Sequence, residues 1–195
     1  TATAGVTLTK GNSDTLMIAI AAASERKCGQ NELALDAGVT YGEDRDNVTA
    51  STIFGRVSYN RLISERAYVN GLLGALHDDL ADLAYRVTVS PAAGYYLLKN
   101  EKITLSGEAG PGIVFEKLGG VASNYWTLRF TERFTWQIND RAKLWQSLTY
   151  TPRVDDFGDY VLAGEIGFQT DITQKLALTV QLIDAYRSVP APTRK

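Results

Sequence analysis

The chain has 195 residues, 45% of them hydrophobic, with 20 basic and 22 acidic residues and a formal net charge of −2. That length suits one domain, and the lack of a basic excess argues against nucleic acid or a general attraction to anionic lipid. The longest apolar run, Leu16 to Ala23, falls far short of the ~20 residues a spanning helix needs, and the lone Cys28 has no partner for an intrachain disulfide.

In chain order the sequence divides into eleven segments of period-two alternation, each bounded by Gly, Asn, Asp, Lys or Pro: 2–10, 14–25, 31–41, 48–60, 66–76, 84–97, 102–115, 124–137, 142–152, 159–170 and 175–187. Helical periodicity is almost absent. The odd-numbered connections (Gly11 to Asp14, Gly42 to Asn47, His77 to Leu83, Lys117 to Ser123, Val154 to Gly158) are mostly long. The even-numbered ones, at Cys28-Gly29, Ile63-Ser64, Asn100-Glu101, Asn139-Asp140 and Thr173, are short. An up-and-down barrel in an outer membrane has this asymmetry when its N-terminus lies in the periplasm. The N-terminal Thr-Ala-Thr-Ala lacks the basic and apolar regions of an export signal, so the terminus itself gives no evidence of export. Single-chain bacterial barrels close on an even strand count, so eleven segments followed by Ser188 to Lys195 predict a twelfth, closing strand not seen here.

Alternation defines two faces without saying which is wet, because a soluble barrel turns its apolar face inward. Aromatic spacing chooses. Tyr85 and Tyr95 share a face with Val87, Val89 and Ala93, while Trp126 and Trp136 share one with Leu128, Phe130 and Phe134. Ten residues of tilted strand span about 25 Å along a membrane normal, the height of the apolar band between aromatic girdles. The other faces carry Glu32, Ala34, Asp36, Gly38 and Thr40, then Thr104, Ser106, Glu108, Gly110 and Gly112, which suits a hydrated or salt-bridged lumen. The same parity turns Arg56, Arg86, Arg129, Arg133 and Glu165 inward. Strands 5 and 9 alternate weakly, and Glu132 falls on the apolar face, which predicts a bulge or a local register error there. The expected fold is therefore all-β, an antiparallel up-and-down transmembrane β-barrel of about twelve strands, eleven of them visible, in one domain over 1–195.

Three stretches carry a family resemblance: Lys10-Gly11-Asn12-Ser13-Asp14, the run from Asp78 to Arg86 followed by Gly94-Tyr95, and Gly107-Glu108-Ala109-Gly110-Pro111-Gly112. Through them nearly the whole chain resembles the YdiY-like family, DUF481, described as salt-induced outer membrane proteins. The resemblance implies a bacterial outer-membrane location and a barrel fold, and it implies no activity.

The lumen charges suit ion selection in a pore, or a plug if they pair across a narrow barrel. The outer connections carry acidic clusters, Glu43-Asp44-Arg45-Asp46, Asp78-Asp79 with Asp82, and Asp155-Asp156 with Asp159; of these Asp78, Asp79, Asp82, Asp155 and Asp156 are candidates for a divalent metal or for the ions that bridge lipopolysaccharide, although Asp also favours turns. The only histidine, His77, is not placed beside Ser90, Ser106 or Ser147, so an enzyme is not expected. The glycine run from Gly107 to Gly112 lies within a strand and is not a phosphate loop. The expected function is a narrow channel or a structural, stress-response envelope protein without a cofactor. Its partners would be outer-membrane lipid, lipopolysaccharide and small ions or solutes. The alternatives are a soluble barrel that binds an apolar ligand and an outer-membrane hydrolase.

Overall fold

In a computed structural model the described residues are 2–9, 15–45, 47–172 and 176–189. The expected connection Gly11 to Asp14, together with Lys10, Asp46, Thr173 and the stretch from Pro190 to Lys195, lies outside them. Eleven strands occur among the described residues: β1 (Ala2–Thr9), β2 (Thr15–Cys28), β3 (Asn31–Asp44), β4 (Asn47–Leu62), β5 (Ala67–Asp78), β6 (Leu83–Lys99), β7 (Ile103–Leu118), β8 (Val121–Asn139), β9 (Ala142–Pro152), β10 (Tyr160–Asp171) and β11 (Ala177–Arg187). They form one antiparallel sheet in chain order, an up-and-down meander. Each predicted segment matches one strand: most strands carry unlike chemistry on their two faces, which a one-residue slip would exchange, while β5 places leucine on both, at Leu72 inward and Leu73 outward.

The sheet curls around a cavity of about 630 Å³ lined from β2 through β11. Its polarity is inverted relative to a soluble barrel. Outward side chains such as Leu35, Val57, Leu73, Val89 and Leu148 are exposed, and Leu182 keeps 68% of its surface. Inward ones such as Asn70, Ser90, Ser106, Glu108, Thr127 and Arg129 are buried. Among the described residues β1 and β11 have no mutual pairing, so each is a sheet edge.

Two expectations need correction. Several connections read as long are not, because their flanks continue the ladder. Glu43 and Asp44 pair with Val48 and Asn47 beyond a register shift at Gly42/Glu43, and Lys117 and Leu118 pair with Ala122 and Val121. The β7–β8 connection is thus Gly119-Gly120, with φ of 58° and 76°, the left-handed values a two-residue hairpin turn requires. Positions 79–82 and 153–159 keep real length, so loop length alternates far less than the sequence suggested. Nor is there a bulge at Glu132: it sits in regular register between Gly107 and Leu148 and points outward.

Candidate functional site

The inner wall is organised around Glu108 on β7, which is 5% exposed. The Tyr68 hydroxyl donates to its Oε1 at 2.9 Å, Arg133 ion-pairs with the same oxygen, and Arg129 Nη1 donates to Oε2 at 3.2 Å. Arg129 also donates from Nε to Ser90 Oγ at 2.9 Å and from Nη2 to Asn70 Oδ1. Asn70 in turn donates to Ser58 Oγ and Asn60 Oδ1, and Ser90 donates to the Pro111 carbonyl. Five strands, β4 to β8, are thereby tied together by side chains in a setting where an unpaired charge would be costly.

Close backbone approach seats Tyr68 and, on β9, Trp145. Tyr68 pairs with Gly94, and a Cβ on Gly94 would overlap its ring. Trp145 lies over Gly167 in the same way, which lets its Nε1 donate to Glu165 at 2.6 Å. Glycine therefore acts here as a ring platform, covered by its cross-strand aromatic neighbour.

Toward the end of the sheet that holds the β9–β10 connection, Glu116 accepts from Arg86 at 2.7 Å and from Arg187 Nη2 at 3.2 Å. Above this pair Arg153 stacks on Tyr125, with its guanidinium carbon 4.3 Å from the ring centroid, and bridges Asp155 and Asp159. The hydrogen bond from Arg153 holds the Asp155 carboxyl below its ordinary range, while Asp155 raises Arg153. Elsewhere on the wall Arg56 meets Asp36 at 3.1 Å, Lys27 bridges Glu25 and Glu32, and Gln181 donates to Glu165.

All seven charges expected in the lumen point inward. Glu108, Arg129 and Arg133 come together in one cluster, and Asp36 pairs with Arg56. Arg86 and Glu165 stand apart from them, on Glu116 and Trp145. Glu116 and Arg187 were missed. Both share the inward parity of their strands, but parity does not say which strands face each other across a cavity. Tyr85, Tyr95, Trp126 and Trp136 all lie outward and exposed, Trp126 at 59%.

The acidic rim residues have local partners. Asp78 accepts from the Ala81 amide, Asp79 from Ser51 and His77, and Asp156 from the Gly158 amide, while Asp82 adopts a φ of 52° in its turn. Among the described residues no three metal-ligating side chains converge. His77 is held between Asp79 and the Ala84 carbonyl, and Ser90 between Arg129 and Pro111.

These features define a class of fold: an up-and-down antiparallel sheet curled around a cavity, with apolar side chains exposed outside and charged ones buried within. The chain belongs to the family described as protein of unknown function DUF481, whose pattern matches residues 2–195. Among solved structures, that of the NanC porin in a rhombohedral crystal form is similar, with a TM-score of 0.54 and 9% identity over 86% of this chain and 79% of that one. No curated protein matches the chain.

Proposed function

We propose that this protein is a bacterial outer-membrane β-barrel of about twelve strands with a constricted, charged lumen, and that it passes small ions or solutes. The observation that carries the reading is the inverted polarity, with Trp126 and Leu182 exposed outside and Glu108 and Arg129 buried inside. Burying charge while exposing leucine is unfavourable in water and favourable in lipid. The Tyr85/Tyr95 and Trp126/Trp136 spacing supports the same reading. A twelfth strand between β1 and β11 would pair both free edges and abolish them. The inner wall mixes apolar side chains such as Leu72 and Val114 with the charges of Glu108 and Arg129, and those charges favour a polar occupant over an apolar one; we assign no catalytic role to His77.

The link between Arg187 on β11 and Glu116 on β7 favours a second reading for the lumen, a plug. Planar-bilayer recording separates the two. A small, stable conductance that rises in Arg187→Ala supports a constricted channel, whereas an inserted barrel silent in both forms supports a structural element.

A further inference from the structure

On β3 to β7 the outward positions between the rims are uniformly apolar or glycine, from Leu33 to Val39 on β3 through Leu105 to Phe115 on β7. The pattern breaks on β8 and β9, and again at Asp184 on β11, which pairs with Gly164 and shares the outward parity of Leu182. Glu132 and Gln146 both point outward, and Gln146 Nε2 donates to Glu132 Oε2 at 3.0 Å. Glu132 lies between Trp126 and Trp136 along its strand, within the apolar band rather than at a rim. The bond uses one oxygen of the carboxylate and one of two amide hydrogens. That is the one hydrogen bond of either side chain among the described residues, and it leaves Glu132 Oε1, the second N–H of Gln146 and its carbonyl without a protein partner there. Small residues flank the pair. Gly107 and Gly164 lie in the same cross-strand row as Glu132 and Leu148, and a Cβ on Gly107 would meet nothing within 4 Å.

We propose that the outer face of β7 to β10 around Glu132 and Gln146 is an interface at which a second copy of this chain docks in the plane of the membrane. The inference rests on the membrane-barrel reading above. Leaving donors and acceptors unmet in lipid is costly, and apolar side chains fill the corresponding positions on the five preceding strands. The occupant follows from the chemistry left over. A two-fold axis along the barrel brings Glu132 of one copy to Gln146 of the other and the reverse, so each free Oε1 receives a free N–H. The pair thus meets two of its three unmet groups, Oε1 and the N–H, in a second copy, whereas a lipid tail meets none of them. The depressions at Gly107 and Gly164 allow the close approach that packing between membrane proteins uses, with Leu148 and Ile166 exposed beside them.

The test is native mass measurement of the full protein reconstituted in lipid discs, for the wild type and for Glu132→Leu with Gln146→Leu. The expected result is a wild-type dimer and a folded variant whose self-association is weaker by about tenfold, the effect of losing two membrane hydrogen bonds. An inserted wild-type protein that stays a single copy overturns the interface and leaves the barrel reading intact. Failure to enter lipid overturns both. A cross-link through Leu148→Cys in a Cys28→Ser background keeps the polar pair whole, so it does not depend on the variant folding. Dimers trapped at 148 support the proposal, and dimers trapped only through Leu73→Cys on the far wall overturn it.

Discussion

Arg187 on the last strand donates to Glu116 on β7, 71 positions earlier, at 3.2 Å, and Arg86 meets the same carboxylate from β6. One side chain thus joins strands that are not sheet neighbours. The Glu116 side chain is 3% exposed and both arginines are 20% exposed, so removing the carboxylate strands two guanidinium groups with little water. Glu116→Gln should destabilise the protein by about 3 kcal/mol, read by urea unfolding in lipid, and Arg187→Ala should cost less because Arg86 still satisfies the carboxylate. Equal losses in the two variants would mean that the link is not what holds β11 inward.

The Glu108 cluster predicts coupling. Arg129 and Glu108 share a hydrogen bond and also have separate partners, so their substitutions are not independent. A cycle of Glu108→Gln and Arg129→Gln should give an interaction energy of about 1 to 3 kcal/mol. Additive effects would contradict a cooperative network.

Two glycine positions should respond in opposite ways. Gly94→Ala drives a methyl group into the Tyr68 ring and costs about 1 to 3 kcal/mol, with loss of the Tyr68 bond to Glu108. Gly71→Ala meets nothing within 4 Å and should change stability by less than about 0.5 kcal/mol. Thermal unfolding of the pair checks both.

The β9–β10 connection carries a pH prediction. Arg153 depresses the Asp155 carboxyl, so the paired form is fully populated above the ordinary aspartate value of about 3.9 and is lost only as pH falls through the lower folded value. An NMR titration should place the Asp155 midpoint below that of a free aspartate, and Arg153→Gln should return it. An ordinary midpoint in the wild type would remove the clamp from the account.

Much of this was legible in the sequence because a curled sheet must give its two faces different chemistry. The Trp126/Trp136 and Glu108/Gly110/Gly112 patterns each identify a face without any knowledge of contacts. Pairing across the cavity was not legible, because Arg187 and Glu116 are related only by how far the sheet curls. Connection lengths were misread where charged or small residues, such as Asp44 and Lys117, continue the ladder. Glu132 looked like a register fault because its environment was assumed uniform; its regular register makes it a true outward carboxylate.

The most direct test of the central claim is nitroxide accessibility along β6, in protein reconstituted in lipid with Cys28 replaced by serine. Labels at Val87, Val89 and Ala93 should be reached by oxygen dissolved in the bilayer and shielded from a water-soluble relaxation agent, with the reverse preference at Thr88, which lines the cavity. Access of the water-soluble agent to positions 87, 89 and 93 would contradict an outer face that sits in lipid.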